Sequence, residues 1–214
     1  MGRRARGRTL AEDACRDPRA VGKEAGAVKP VEGPLDAIRT AKQFLYYAWF
    51  LYEAVVRGAI TPETFTDEIP EGEMKLSWPP ENRTPAALER HAWNNVLAAM
   101  SISAIAADRA LDDTFGAKPQ PAAALSDQDA TRVVMYMLRC AYAHDPLNPR
   151  WECRGPYLGV FRINALDFEL DTRALHGQPW NIAHVGGPLG YFNLLAQCQG
   201  LVATALGPAG PASA

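Results

Sequence analysis

The segment 93–107 is rich in alanine and almost entirely apolar around a helical wheel. A helix that is apolar on every side must be covered by other elements, so this segment predicts a central helix inside a bundle. Thr84 is a good N-cap residue, and Pro85 after it suits the first helical position. We therefore predict a long helix from Pro85 to about Asp113, with Gly116 as its terminator.

Three further segments carry helical signals. Pro34 and Gly58 bound a first helix whose apolar residues cover more than one face, which indicates burial on several sides or a shared interface. Ser126 caps a third helix, in which apolar residues recur at helical spacing until Asp145-Pro146 stops it. The last helix is predicted over 189–206 and ends at Gly207-Pro208.

Residues 160–171 instead alternate with a period of two, and the phase of the alternation slips by one residue near its middle. Two short strands or one bulged strand would explain the slip, and a turn at 174–177 would return the chain along 180–185. The sequence thus predicts an all-α fold, a four-helix-type bundle with a small β-hairpin (160–185) inserted before the last helix.

The remaining segments have few structural signals. Residues 59–84 hold four prolines among acidic groups and are predicted to form a long surface loop with one short helical turn. Residues 1–33 lack apolar periodicity and are predicted to be a disordered basic tail, followed by a helical domain over 34–206. Residues 207–214, which are small, are predicted to be a disordered C-terminal tail.

Charge is unevenly distributed along the 214 residues. The chain has a net charge of −2, but residues 1–30 carry eight basic and four acidic groups, so the remainder is at −6. An acidic body disfavours an extended nucleic-acid surface, since such surfaces bind by neutralising phosphates, yet a small local RNA site remains compatible with it. The basic segment is interpreted as a solvated tail, with an RNA-binding arm as the alternative.

The four cysteines show no Cys-x-x-Cys pair and no zinc-ligand spacing with histidines. We therefore expect no metal and no cofactor, and the cysteine usage is typical of a reducing, cytoplasmic compartment. The longest apolar stretch, 44–56, contains Glu53 and is too short to span a bilayer, so no membrane partner is expected.

The end of the third helix holds the main candidate site, Arg139 and His144. Arginine offers a permanent charge and a planar set of donors that fits phosphate oxygens, and histidine transfers protons near neutral pH. Such a pair can cleave a phosphodiester without a metal. Five residues along a helix rotate by about 140°, so convergence on one phosphate requires a distorted helix end or a second copy of the chain.

The segment 138–144, with arginine and histidine separated by four residues, resembles the Arg-x4–6-His signature of the HEPN superfamily (higher eukaryotes and prokaryotes nucleotide-binding domains). Members are α-helical bundles, many of them metal-independent endoribonucleases in toxin–antitoxin, CRISPR and antiphage systems. The resemblance covers about residues 34–145 and the last helix. It implies that Arg139 and His144 are the catalytic pair, that the site faces its copy across a homodimer interface, that RNA is the substrate and that an antitoxin partner is possible.

The candidate substrate-binding residues lie in the segment that follows the motif: Asp145, Arg150 and Trp151. For Trp151, anchoring the loop to the core is the alternative. In active HEPN members a polar residue usually follows the arginine, where this chain has Cys140. The alternative function is therefore a catalytically inactive HEPN-like dimer that binds protein or nucleotide.

Plainer structural roles compete with these assignments. His144 near a helix C-terminus interacts favourably with the helix dipole, and Arg139 would then pair with an acidic neighbour. Asp108 and Asp112 share one face of the second helix and either line a pocket opposite Arg139 or form a salt-bridged surface. His176 and His184 would approach each other across the hairpin, without a third metal ligand.

Overall fold

The computed structural model describes residues 33–65, 68–71, 74–77, 79–121 and 125–207. Four long helices carry this part of the fold: α1 (Gly33–Val56), α2 (Pro85–Phe115), α3 (Asp127–Ala143) and α4 (Gly187–Leu206). The predicted tails 1–33 and 207–214 lie outside the described residues, apart from Gly33, which begins α1, and Gly207, which follows α4.

Helix α2 is the central helix, as its composition predicts. It packs against α1, α3 and α4, and Met100, Ala104 and Ala107 on it are fully buried. The side chain of Thr84 accepts a hydrogen bond from the Ala87 amide at 3.2 Å, and Gly116 ends the helix with a φ of 76°. The fold class is confirmed: a mostly helical chain with four helices and a small antiparallel hairpin before the last one.

That hairpin consists of β3 (Val160–Ile163) and β4 (Phe168–Asp171), paired antiparallel. The phase slip marks the turn between two strands, where Asp167 adopts a left-handed conformation with a φ of 48°. Aspartate tolerates this conformation better than most residues. The predicted return strand at 180–185 is wrong, because residues 182–185 form a short 3-10 helix whose start is capped by the Asn181 side chain.

The prediction of a loop across 59–84 is also wrong in part. Strands β1 (Glu68–Glu71) and β2 (Met74–Ser77) form a second antiparallel hairpin there, in which Pro70 is paired with Lys75. A two-stranded ribbon has two open edges, so a proline without an N–H fits in it more easily than in a central strand.

Helix α3 lies in the interior. Its apolar residues pack against α2, β3 and α4, and most of the side chains between Ala130 and Tyr142 are buried. In the described ranges, no helix combines the length and the apolar character that crossing a bilayer requires.

Candidate functional site

Helix α3 reaches solvent along one narrow ridge near its C-terminal end. Arg139 and Ala143 are exposed there, while Tyr136 and Cys140 are partly exposed. The helix ends at Ala143 and His144 follows as the C-cap residue, because the residue before Pro146 disfavours the helical conformation. The fold therefore presents both motif residues at the surface, at the end of a helix that is buried over most of its length.

The guanidinium of Arg139 faces α2. Its Nε lies 3.7 Å from Oδ2 of Asp108, and the Arg139 side chain remains 45% exposed. Asp108 itself is buried, and burial raises the pKa of its carboxyl despite the opposing charge of Lys118 nearby. Of the two alternatives for Asp108, a pocket opposite Arg139 or a salt-bridged surface, the structure shows ion pairs with both Arg139 and Lys118.

The neighbours of Asp108 fasten the end of α2 to α3. Nζ of Lys118 lies 3.3 Å from Asp108 Oδ1 and also pairs with Asp112. The buried Arg132 donates a hydrogen bond to the carbonyl of Ala117 at 2.8 Å and faces Asp112 at 3.7 Å. This network has a structural role, and Arg139 lies at its solvent-facing edge.

His144 has a different partner. Its Nε2 lies 3.2 Å from Oε1 of Glu152, and the His144 side chain is 78% exposed. Within one chain, Arg139 and His144 therefore contact two separate carboxylates. The sequence gave no assignment to Glu152, although the buried residues on either side of it, Trp151 and Cys153, indicate an outward-pointing position.

Cys140 lies on the ridge directly after Arg139 and is partly buried. Burial raises the pKa of its thiol, while the Tyr136 hydroxyl and the Arg139 charge oppose that shift. A hydrogen bond with Cys140 in turn raises the pKa of Tyr136 to about 12. Since the thiolate is the nucleophilic form of cysteine, a raised pKa indicates an unreactive thiol near neutral pH.

The candidate substrate-binding residues mainly hold the loop after α3. Oδ1 of Asp145 accepts hydrogen bonds from the amides of Leu147 and Asn148, at 3.0 and 3.1 Å. Arg150 is exposed and donates to the carbonyl of Gly177 at 3.1 Å.

Trp151 is fully buried, which favours its alternative role as an anchor of the loop to the core over substrate contact. Its indole N–H donates to Nδ1 of His184 at 2.9 Å. That acceptor requires a neutral imidazole, and burial lowers the pKa of His184 accordingly. His176 instead faces Arg154 at 3.3 Å, so the two hairpin histidines have separate partners. No group of three or more metal-ligating side chains is found among the described residues.

Comparison with known proteins gives no relative for this chain. No protein-family model matches it, and neither a curated protein nor a solved structure does. The resemblance to HEPN proteins therefore rests on the Arg139–His144 motif and the order of the helices.

Proposed function

We propose that this protein is an HEPN-like endoribonuclease that acts without a metal, with Arg139 binding the scissile phosphate and His144 transferring a proton. One observation carries the proposal: a covered helix exposes a permanent cation and an imidazole at its C-terminal end. The Arg139 guanidinium keeps N–H donors, and His144 keeps its second ring nitrogen, Nδ1, that their contacts with Asp108 and Glu152 do not use.

The geometry around Arg139 is compatible with anion binding. A separation of 3.7 Å from Asp108 is longer than a normal hydrogen bond, so a phosphate oxygen can compete for the guanidinium. In the proposed reaction the 2′-oxygen attacks phosphorus as its proton passes to an imidazole, the bond from phosphorus to the 5′-oxygen breaks, and the 5′-oxygen leaves with a proton that an imidazolium donates. The products are a 2′,3′-cyclic phosphate and a 5′-hydroxyl, and arginine stabilises the charge that develops on the phosphoryl oxygens.

The reaction requires two proton transfers, and Arg139 and His144 of one chain contact two separate carboxylates. Both facts favour a composite site, which is formed by residues from two copies of the chain. In a homodimer, His144 of one copy would act on a phosphate that is bound by Arg139 of the other. The proposal therefore includes a homodimer, and light scattering tests it. A monomer at the concentration of the RNA assay would contradict a composite site.

The activity test uses the purified full chain, EDTA, and single-stranded and structured RNA. We expect cleavage by the wild type, loss of at least about a hundredfold in rate with His144→Ala, and fragments ending in a cyclic phosphate. His176→Ala is the matched control, since it removes another exposed histidine and should keep full activity. Full cleavage by His144→Ala, or none by the wild type, contradicts the proposal.

A second candidate is a catalytically inactive dimer that binds protein or nucleotide. Two observations favour it: a carboxylate lies beside each motif side chain, and Cys140 occupies the position after Arg139. Retention of RNA in a mobility-shift assay that is weakened by Arg139→Ala, without any cleavage, would support this candidate over the enzyme.

A further inference from the structure

A cleft of about 400 Å³ lies beside the loop that follows His144. Trp93 and Leu97 of α2 form one wall, and the others come from the segments 147–149 and 179–182. The Trp180 amide donates to the carbonyl of Pro149 at 2.9 Å, which joins these two segments. The volume is within the range of small-molecule sites, which is roughly 300–1,000 Å³.

The lining of this cleft combines flat apolar surface with polar groups and carries no charged side chain. Trp93 and Trp180 supply indole rings, Leu97 and Ile182 supply aliphatic contacts, and the amides of Asn148 and Asn181 line the same space. A ligand that fits must therefore be neutral, largely apolar on its faces and polar at its edges.

One buried donor in this lining has no acceptor. The Trp180 side chain is only 8% exposed, and its indole N–H has no hydrogen-bond partner among the described residues. The other described buried tryptophan, Trp151, donates its N–H to His184. Buried indole donors usually find a partner, so this unpaired donor, in a residue of the cleft wall, is an exception to that rule.

We infer that this cleft binds a nucleobase of the RNA substrate. A base is planar and uncharged, stacks on aromatic rings, and carries polar groups on its edge for the asparagine amides. The side-chain amide of Asn148 makes no hydrogen bond to any described residue, while Oδ1 of Asn181 accepts from the Ala183 amide and its NH₂ group keeps donors.

The position of the cleft relates it to the motif. Its lining begins at Leu147, three residues after His144, and the carboxylate of Asp145 fixes the intervening turn. A base held there belongs to a nucleotide near the phosphate that Arg139 and His144 would act on. The inference rests on the proposed function to the extent that RNA is the substrate.

The test uses free nucleosides, which have a base but no phosphodiester. The five tryptophans give five indole N–H signals in a proton–nitrogen NMR spectrum, and Trp180→Phe identifies one of them. Titration with millimolar adenosine, guanosine, cytidine and uridine should shift the Trp180 signal for at least one of them, because Trp180 forms part of the cleft wall. The Trp151 signal, whose N–H is already donated, should not move.

The substitution Asn148→Ala tests recognition of the base and leaves every buried side chain unchanged, because Asn148 is exposed. We expect about tenfold weaker nucleoside binding, since one hydrogen bond to the base edge is lost. Asn193→Ala, an exposed asparagine on α4, is the matched control and should bind like the wild type. No Trp180 shift with any nucleoside, an equal shift with ribose 5-phosphate, or wild-type binding by Asn148→Ala overturns the inference.

These outcomes are separate from the cleavage assay. His144→Ala should bind nucleosides like the wild type, because the base does not contact the imidazole. RNA cleavage without a Trp180 shift leaves the proposed function standing and removes the base-binding cleft. A Trp180 shift without RNA cleavage supports the cleft and removes the endoribonuclease.

Discussion

The two ends of helix α3 use their polar side chains in opposite ways. At the N-terminal end, Asp127 accepts three hydrogen bonds from the turn between β3 and β4: two from Asn164 and one from the Ala165 amide at 2.7 Å. Ser126 caps the same end by accepting from the Asp129 amide at 3.1 Å. These groups hold the helix and the hairpin together.

At the C-terminal end, the side chains keep most of their bonding capacity. Arg139 is 3.7 Å from its carboxylate, and His144 is largely exposed beside Glu152. One helix therefore has an end whose polar groups are satisfied by the fold and an end whose polar groups are available to a ligand. Satisfied groups contribute to stability, whereas available groups on a rigid element are suited to binding and catalysis.

The largest expected effect on stability is the difference between substitutions at two adjacent residues of α3, Leu138 and Arg139. Leu138 is fully buried, so Leu138→Ala should lower the free energy of unfolding by about 2–5 kcal/mol through lost burial and the cavity left behind. Arg139→Ala next to it should change stability by no more than about 1 kcal/mol, because its ion pair is long and partly exposed. Urea denaturation of both variants measures the difference. Equal losses would mean that Arg139 is structural, which would break the contrast between the two ends.

The N-terminal end should give a middle-sized effect. Ser126→Ala removes the hydroxyl that caps α3 and should destabilise the protein by about 1 kcal/mol. Thr204→Ala near the exposed end of α4 is the control and should stay within about 0.5 kcal/mol. Thermal or urea unfolding provides the measurement, and a Ser126→Ala variant as stable as the wild type would contradict the assigned cap.

Local signals allowed much of this fold to be predicted from the sequence. Thr84 and Ser126 cap the helices that they were expected to cap, since a capping hydrogen bond involves residues only a few positions apart. The central position of α2 also follows from its composition alone. The 68–77 hairpin was missed because Pro70 and the acidic residues around it carry the signals of a loop.

The candidate site was predictable only in part. The motif and the acidic face of α2 that carries Asp108 are visible in the sequence. The pairing of His144 with Glu152 is not, because it depends on how the loop after α3 folds back. The clamp by Asp127 joins residues that lie 37 positions apart, so no local pattern indicates it. Likewise, the buried Trp151 indole donates to His184, which is 33 residues away, so no local pattern indicates this contact.

Acid should weaken the clamp at the N-terminal end. Backbone hydrogen bonds from Ala165 and Asn164 hold the pKa of Asp127 below its ordinary value of 3.8. Since the folded pKa is the lower one, the contribution of Asp127 is complete above 3.8 and is lost as the pH falls through the folded value. The stability advantage of the wild type over Asp127→Asn should therefore shrink as the pH is lowered below 3.8. Urea denaturation across that range measures it, with Asp113→Asn as an exposed control, and an advantage that is independent of pH would contradict the clamp.

The smallest expected effect on stability concerns the C-terminal end. His144→Gln removes the imidazole but keeps a polar side chain, and the exposed contact with Glu152 contributes only a few tenths of a kcal/mol. Its urea midpoint should therefore match that of the wild type within error, whereas its RNA cleavage should be lost, because glutamine cannot transfer a proton near neutral pH. If the midpoint falls as far as it does in Ser126→Ala, His144 is a structural cap and the two ends of α3 do not differ. If the midpoint holds and cleavage is lost, the loss is due to missing chemistry and not to unfolding.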